Sequence, residues 1–311
     1  MAAVTNPFTA GTWIMEPKPQ NFWGVPHTSW FFAMGVGGAL FINRVLFGIE
    51  LGRILGMTVA DLLGMILIGI GGLILIGDLG KPLRVLRALL NPRTSWISVG
   101  AIADFVFLIF AGLWVIADLE WQGGRPLAGL PWAGNSPLGI AFQVIAAAAA
   151  FIVIVYPGLV LAASPSIPFW NTTLIPLQFL SFAFASAVGL ALIFALWLPV
   201  PPALLTAWAS AEILLLAVTL LLFVAHLLQG TASHATAKVA VTRLLKGELH
   251  VPFVWGTLIA GLLLPLFLGL YGAYAASPAP GLLALSALLA LPGNWLSKYT
   301  VIKAGNYAPF L

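Results

Sequence analysis

Cysteine is absent from the 311 residues, which excludes disulfides, thiolate-bound iron–sulfur clusters, c-type haem attachment and any cysteine nucleophile. Charge is almost as scarce. Asp, Glu, Lys and Arg make up 7% of the chain, 13 basic and 9 acidic residues, against about 25% in soluble domains. The remainder is 61% hydrophobic, with a mean hydropathy of +1.06. That composition specifies an integral membrane protein. The net charge of +4 is assigned to basic loops rather than to a nucleic-acid partner. The opening "MAAVTNPFTAGTWIMEPKPQNFWG" has no basic region leading into an apolar run, so no cleaved signal peptide is expected and the first span is expected to direct insertion.

A bilayer core about 30 Å thick needs about 20 apolar residues per helix. Eight windows qualify, at approximately residues 28–49, 59–77, 96–117, 137–163, 174–197, 203–228, 251–274 and 282–302. Breaker clusters such as "DLGKP", "EWQGGRP" and "LPVPP" close them. The fold class is therefore all-α, a single transmembrane domain over residues 1–311. Eight spans place both ends of the chain on one face, side A, with the 77–95 and 229–250 loops. Side A carries Lys18, Lys81, Arg84, Arg87, Arg93, Lys238, Arg243, Lys246, Lys298 and Lys303, while side B holds Arg44, Arg53 and Arg125. The positive-inside rule assigns side A to the cytoplasm. The glycines of "GVGGAL" (Gly35 to Leu40) and "GIGGLILIG" (Gly69 to Gly77) are read as helix-packing positions, since both runs lie inside a span and follow no strand.

Ionisable groups inside hydrocarbon cost a few kcal/mol or more, so each needs a reason. Near side A lie His27, Asp78, His226, Lys298 and Asp104, the last about 12 Å in. Five such groups from five helices or helix ends at comparable depth predict a lined cavity. Toward side B lie Arg44, Glu50, Asp61 and Glu212. Either these hold a buried ion pair, Arg44 with Glu212 or Asp61, or Asp104, Glu212, Arg44, Asp61 and Glu50 are stations of a proton path. His27 and His226 at similar depth suit two axial ligands of one haem, but an electron carrier across the membrane needs two such pairs. His234 and His250 lie in a loop and at an interface, so haem is not expected.

Particular segments carry a family resemblance. "GDLGKPLR" with "LLNPRTSW" (Gly77 to Trp96), "PSIPFWNTTLIPLQFL" (Pro165 to Leu180), "LLKGELHVPFVWGTLIAGLLLPL" (Leu244 to Leu266) and "KYTVIKAG" (Lys298 to Gly305) resemble the NrfD/PsrC family. Its members are the membrane anchors of polysulfide reductase, of the nitrite-reductase electron-transfer chain and of related molybdoenzyme and alternative quinol-oxidising complexes. The resemblance implies two four-helix bundles in a bacterial cytoplasmic membrane. It implies a chain without haem or iron–sulfur cluster that exchanges electrons between a quinone, menaquinone or ubiquinone, and a ferredoxin-like iron–sulfur subunit. A molybdopterin or multihaem catalytic subunit completes such complexes. The implied quinone pocket opens on side A, near "WGVPHTSW" and "GDLGKP". This sequence departs from the pattern in two places: Lys298 stands where an Arg is common, and His27 with Thr28 and Ser29 replaces a polar pair of the first helix.

A quinone taking up two electrons and two protons develops negative charge on its oxygens, which calls for proton donors and cationic groups in a dry pocket. The candidate quinone-binding residues are His27, Asp78, Lys81, Arg93, Asp104 and Lys298, with protons assigned to His27 and Asp78; Lys81 and Arg93 either polarise the quinone or dock the partner. Arg84 and Arg87 are assigned to partner docking. Two other classes compete. A standalone transporter is expected to show an inverted repeat with interrupted helices, and no internal repeat is evident. A purely structural anchor gives no reason for Asp104 and Glu212.

Overall fold

The computed structural model describes residues 17–78, 91–274 and 278–308. Pro26 stands in the first turn of α1 (Val25–Phe47), where its missing N–H has no helical acceptor to lose. Gly48 ends that helix at φ 65°, its N–H returning to Arg44 O. The chain continues through α2 (Val59–Asp78), α3 (Trp96–Ile116), α4 (Pro137–Ala162), α5 (Leu174–Phe194), α6 (Pro202–Ala232) and the short α7 (Ala235–Leu245). A π-helical segment, Val251–Leu263, then runs into α8 (Leu264–Tyr274), and α9 is Pro280–Ala304. Ser95 and Ser136 cap α3 and α4 by accepting from the N–H groups of Ser98 and Gly139.

Eight helices are long and apolar enough to cross a membrane, with Val251–Tyr274 counted as one. The exposed surface is itself apolar: Ile66, Ile70 and Leu73 on α2, and Leu214, Leu221 and Leu228 on α6, all point outward. Such a surface is stable only against lipid. The protein is thus an all-α integral membrane protein. The first span starts at Val25 rather than at residue 28, because Pro26 opens the helix inside "WGVPHTSW".

Four helices form one set of neighbours, α1 against α2 and α4, and α3 against α2 and α4. In a second set α5 packs on α6 and α9, α9 on the π segment and α8, and α8 on α6. The sets meet where α5 lies against α1 and α4, and α9 against α1. Of the most apolar stretch in each helix, 72% is buried in α1 and 67% in α5, which makes those two the central pair. Close approach is backbone to backbone in places: a Cβ at Gly37 would stand 2.7 Å from Gly64 O on α2, and one at Gly293 would stand 2.3 Å from Gly261 Cα.

The residues flanking the helices on side A are tied together. Strand β1 (Lys18–Pro19) pairs antiparallel with β4 (Asn306–Tyr307), Lys18 opposite Tyr307. Buried Gln20 donates to Ile302 O and Trp23 O and accepts from Trp23 N–H. Arg243 of α7 donates to Asn306 Oδ1 at 3.0 Å. On side B, β2 (Arg53–Ile54) pairs with β3 (Met57–Thr58) in a hairpin.

Candidate functional site

His27 sits in the first turn of α1 and Asp78 at the last residue of α2, and His27 Nε2 lies 3.1 Å from Asp78 Oδ2. The imidazole is nearly buried, the carboxyl 30% exposed. Trp23 and Phe22 wall the ring, with centroids 4.6 and 5.6 Å away. His27 Nδ1 is buried and has no hydrogen-bond partner. The staple made by Gln20 holds Trp23 in place, and through β1 and β4 it also fixes the end of α9. Lys303 comes from that end, its Nζ 3.5 Å from where a Gly24 Cβ would stand. The pair can therefore hold and pass a proton at a face walled by indole and phenyl rings, with one imidazole nitrogen free for a ligand.

Asp104 lies two turns into α3, 7% exposed, with Oδ1 unpartnered. The Tyr156 hydroxyl of α4, which donates to Met34 Sδ at 3.2 Å, lies beside its carboxyl. This contact depends on Gly100, one turn earlier, where a Cβ would fall 2.2 Å from the Tyr156 ring. Asp104 also lines a cleft of about 320 Å³ between α2 and α3 whose other walls are apolar.

The other expected residues are distributed differently. Lys298 is fully buried in α9, donating to Asn294 Oδ1 and lying 4.6 Å from the Phe179 ring centroid. Phe179 stands between it and Phe31 of α1, so Lys298 belongs to the core of the second helix set. Arg93 is exposed just before the Ser95 cap. Lys81, Arg84 and Arg87 lie outside the described residues. His226 engages Gln178 at 3.2 Å and Phe169 O at 2.9 Å and stacks on Phe169. The five-member cavity expected on side A is thus resolved into separate clusters: His27 with Asp78, Asp104 with Tyr156, His226 with Gln178, and Lys298 with Asn294. Helical depth alone does not report which helix stands beside which.

On side B, Arg44 pairs with Asp61 at 3.0 Å, and Thr58 donates to the same carboxyl at 2.7 Å. Arg44 also stacks over Trp114. Glu50 forms a two-bonded pair with Arg53 outside the helices, and this carboxylate pushes the Arg53 guanidinium further up from its ordinary value. Glu212 is fully buried between α6 and α9 with Ser286 at 3.4 Å. Of the two partners open to Arg44, the structure selects Asp61, because both lie on the α1–α2 seam. Among the described residues no three His, Asp or Glu side chains are grouped as a metal site.

Sequence reading gave no role to Gln20 or Tyr156, and it placed Trp23 within "WGVPHTSW" and Lys303 on side A without giving either a role at the site. No curated protein matches the chain. The family described as polysulphide reductase, NrfD, matches residues 13–309, and with eight spans in place the chain belongs to this family of membrane subunits of quinone-linked oxidoreductases.

Proposed function

We propose that this chain is the quinone-reactive membrane subunit of a multi-subunit oxidoreductase, with its reaction site at His27 and Asp78 on side A. The observation that carries this reading is the 3.1 Å His27–Asp78 contact with Nδ1 buried and unpartnered. Members of the family bind quinone and work with iron–sulfur and catalytic subunits. A quinone supplies the two-electron chemistry when bound, and the chain supplies the protons. His27 Nδ1 is the free polar atom available to a quinone oxygen, and Nε2 hands proton charge to Asp78, whose partial exposure links the pair to water. Trp23 and Phe22 give a flat apolar seat suited to a ring. The cysteine-free chain holds no thiolate-bound cluster, so electrons pass to a separate iron–sulfur subunit. Docking is assigned to side A, where Lys18, Lys238 and Arg93 are exposed and the 77–95 loop adds Lys81, Arg84 and Arg87. Such a face favours an acidic partner.

In the purified complex, Asp78→Asn is expected to lower quinol-linked turnover at least 100-fold, the scale of a lost general acid–base group, with subunit composition unchanged. Wild-type turnover in that variant refutes the site. Proton movement across the membrane is part of the same proposal, with Asp104 and Glu212 as its buried carboxyls and Asp61 and Glu50 held by their arginines.

A further inference from the structure

The glycines of α2 divide into two groups. Gly64 and Gly71 are packing positions, where a Cβ would stand 2.8 Å from Gly37 O and 2.5 Å from Met34 Cγ. Gly69 has nothing within 4 Å of such a Cβ, and at Gly72 the nearest atom is Met34 Cε at 4.0 Å. These two glycines do not bring helices together. They leave space in the α2–α3 cleft, which extends along α2 from Ile68 to Ile76, about 12 Å. Its upper end stops two residues short of Asp78. Ile76 and Leu75 line that end, and Phe105 and Leu108 of α3 form the opposite wall. The 320 Å³ volume is at the lower end of the range for small-molecule sites, about 300–1,000 Å³.

One wall atom does not suit a lipid crevice. Asp104 presents a carboxyl, with Oδ1 unpartnered, to an otherwise apolar cleft, about 12 Å below the start of α3. Phospholipid acyl chains have nothing to offer a carboxyl at that depth, and their headgroups stay at the interface. The occupant that fits is a molecule whose polar head travels within hydrocarbon and can bond to a carboxyl. Resting on the quinone-reactive reading above, we infer that the α2–α3 cleft is the lateral portal through which a polyisoprenyl quinone enters from the bilayer. Its head passes Asp104 on the way to His27 and Asp78, and its tail stays against Gly69 and Gly72 once the head has arrived.

The absence of cysteine makes a direct test available, since Gly72→Cys introduces this chain's sole thiol with room for its side chain. In proteoliposomes holding the purified complex, a membrane-permeant maleimide is reacted with and without added quinone, and labelling of this chain is timed. Saturating polyisoprenyl quinone is expected to slow labelling at least tenfold, and a tail-less analogue less than twofold. In Gly72→Leu, which fills the cleft, apparent KM for the tail-bearing quinol is expected to rise at least tenfold, and to rise less for a tail-less quinol, which also reaches the pair from water beside the partly exposed Asp78. Unchanged labelling while the tail-bearing quinone is turned over overturns the portal, as does labelling that responds to lipid acyl composition and not to quinone. Equal protection by both quinones overturns the tail assignment. Should Gly72→Leu fail to assemble, the labelling of Gly72→Cys decides alone. A wild-type complex that turns over neither quinol refutes the quinone-reactive reading itself.

Discussion

Asp61 and Asp78 bracket the same helix and are used in opposite ways. Asp61 is 2% exposed and receives both Arg44 and Thr58 on Oδ2, its Oδ1 buried without a partner, whereas Asp78 is partly open and shares one contact with a histidine. A buried charge pair is structural: removing one partner strands the other charge, at about 3–5 kcal/mol. Asp61→Asn is therefore expected to lower stability in detergent by about that much, measured by thermal or denaturant unfolding, and adding Arg44→Leu is expected to restore most of it. A double variant as unstable as the single one refutes the pairing as the cause. His27 and Asp78 were legible in the sequence because each is a rare ionisable group at a helix end, and family motifs flank both. Tyr156 was not legible. It is one tyrosine in an apolar run, and only the third dimension sets its hydroxyl against Asp104.

At the scale of elements, α6 shows why the span count was readable and the neighbours were not. Its buried positions include Glu212, Thr219 and His226 and its exposed ones Leu214, Leu221 and Leu228, each set spaced by seven residues. This is the repeat of a helix holding one seam to its partners. Hydropathy sees a continuous apolar run, sufficient to locate a span, and averages that seam away. The π-helical start of the seventh span was equally hidden. There the Leu264 N–H reaches Ile259 O, five residues back, and Pro265 removes the next donor. Glycine roles also split. Gly37→Ala pushes a Cβ against the Gly64 carbonyl and is expected to cost about 1–3 kcal/mol, whereas Gly69→Ala meets no atom and is expected to stay within about 0.5 kcal/mol. Parallel unfolding curves of the two variants check this, and equal losses would return the Gly69 run to helix packing.

Across the whole molecule, the polar groups of the second helix set follow one seam from side B toward side A. Gly189 leaves a slot for Glu212, since a Cβ there would lie 2.8 Å from Oε1, and Oε1 has no partner. Two turns further along α6, Thr219 shares a 2.8 Å hydrogen bond with Ser181 of α5. After two more turns His226 meets Gln178 and lines a polar pocket of about 230 Å³ with Thr172, Gln229 and His234. Successive stations stand about 10 Å apart, too far for direct proton transfer, so passage requires water between them. Because Arg44 is neutralised by Asp61, Glu212 has no structural counter-charge to supply, and a buried carboxyl without one is a functional group by default. Glu212→Gln preserves the shape and the Ser286 contact but removes the titrating proton. In proteoliposomes it is expected to lower the number of protons moved per electron while leaving quinol oxidation with a soluble electron acceptor, and thermal stability, near wild type. A variant whose proton-to-electron ratio equals that of the wild type excludes Glu212 from the path, and the protons of the quinone reaction then exchange at side A through Asp78 alone.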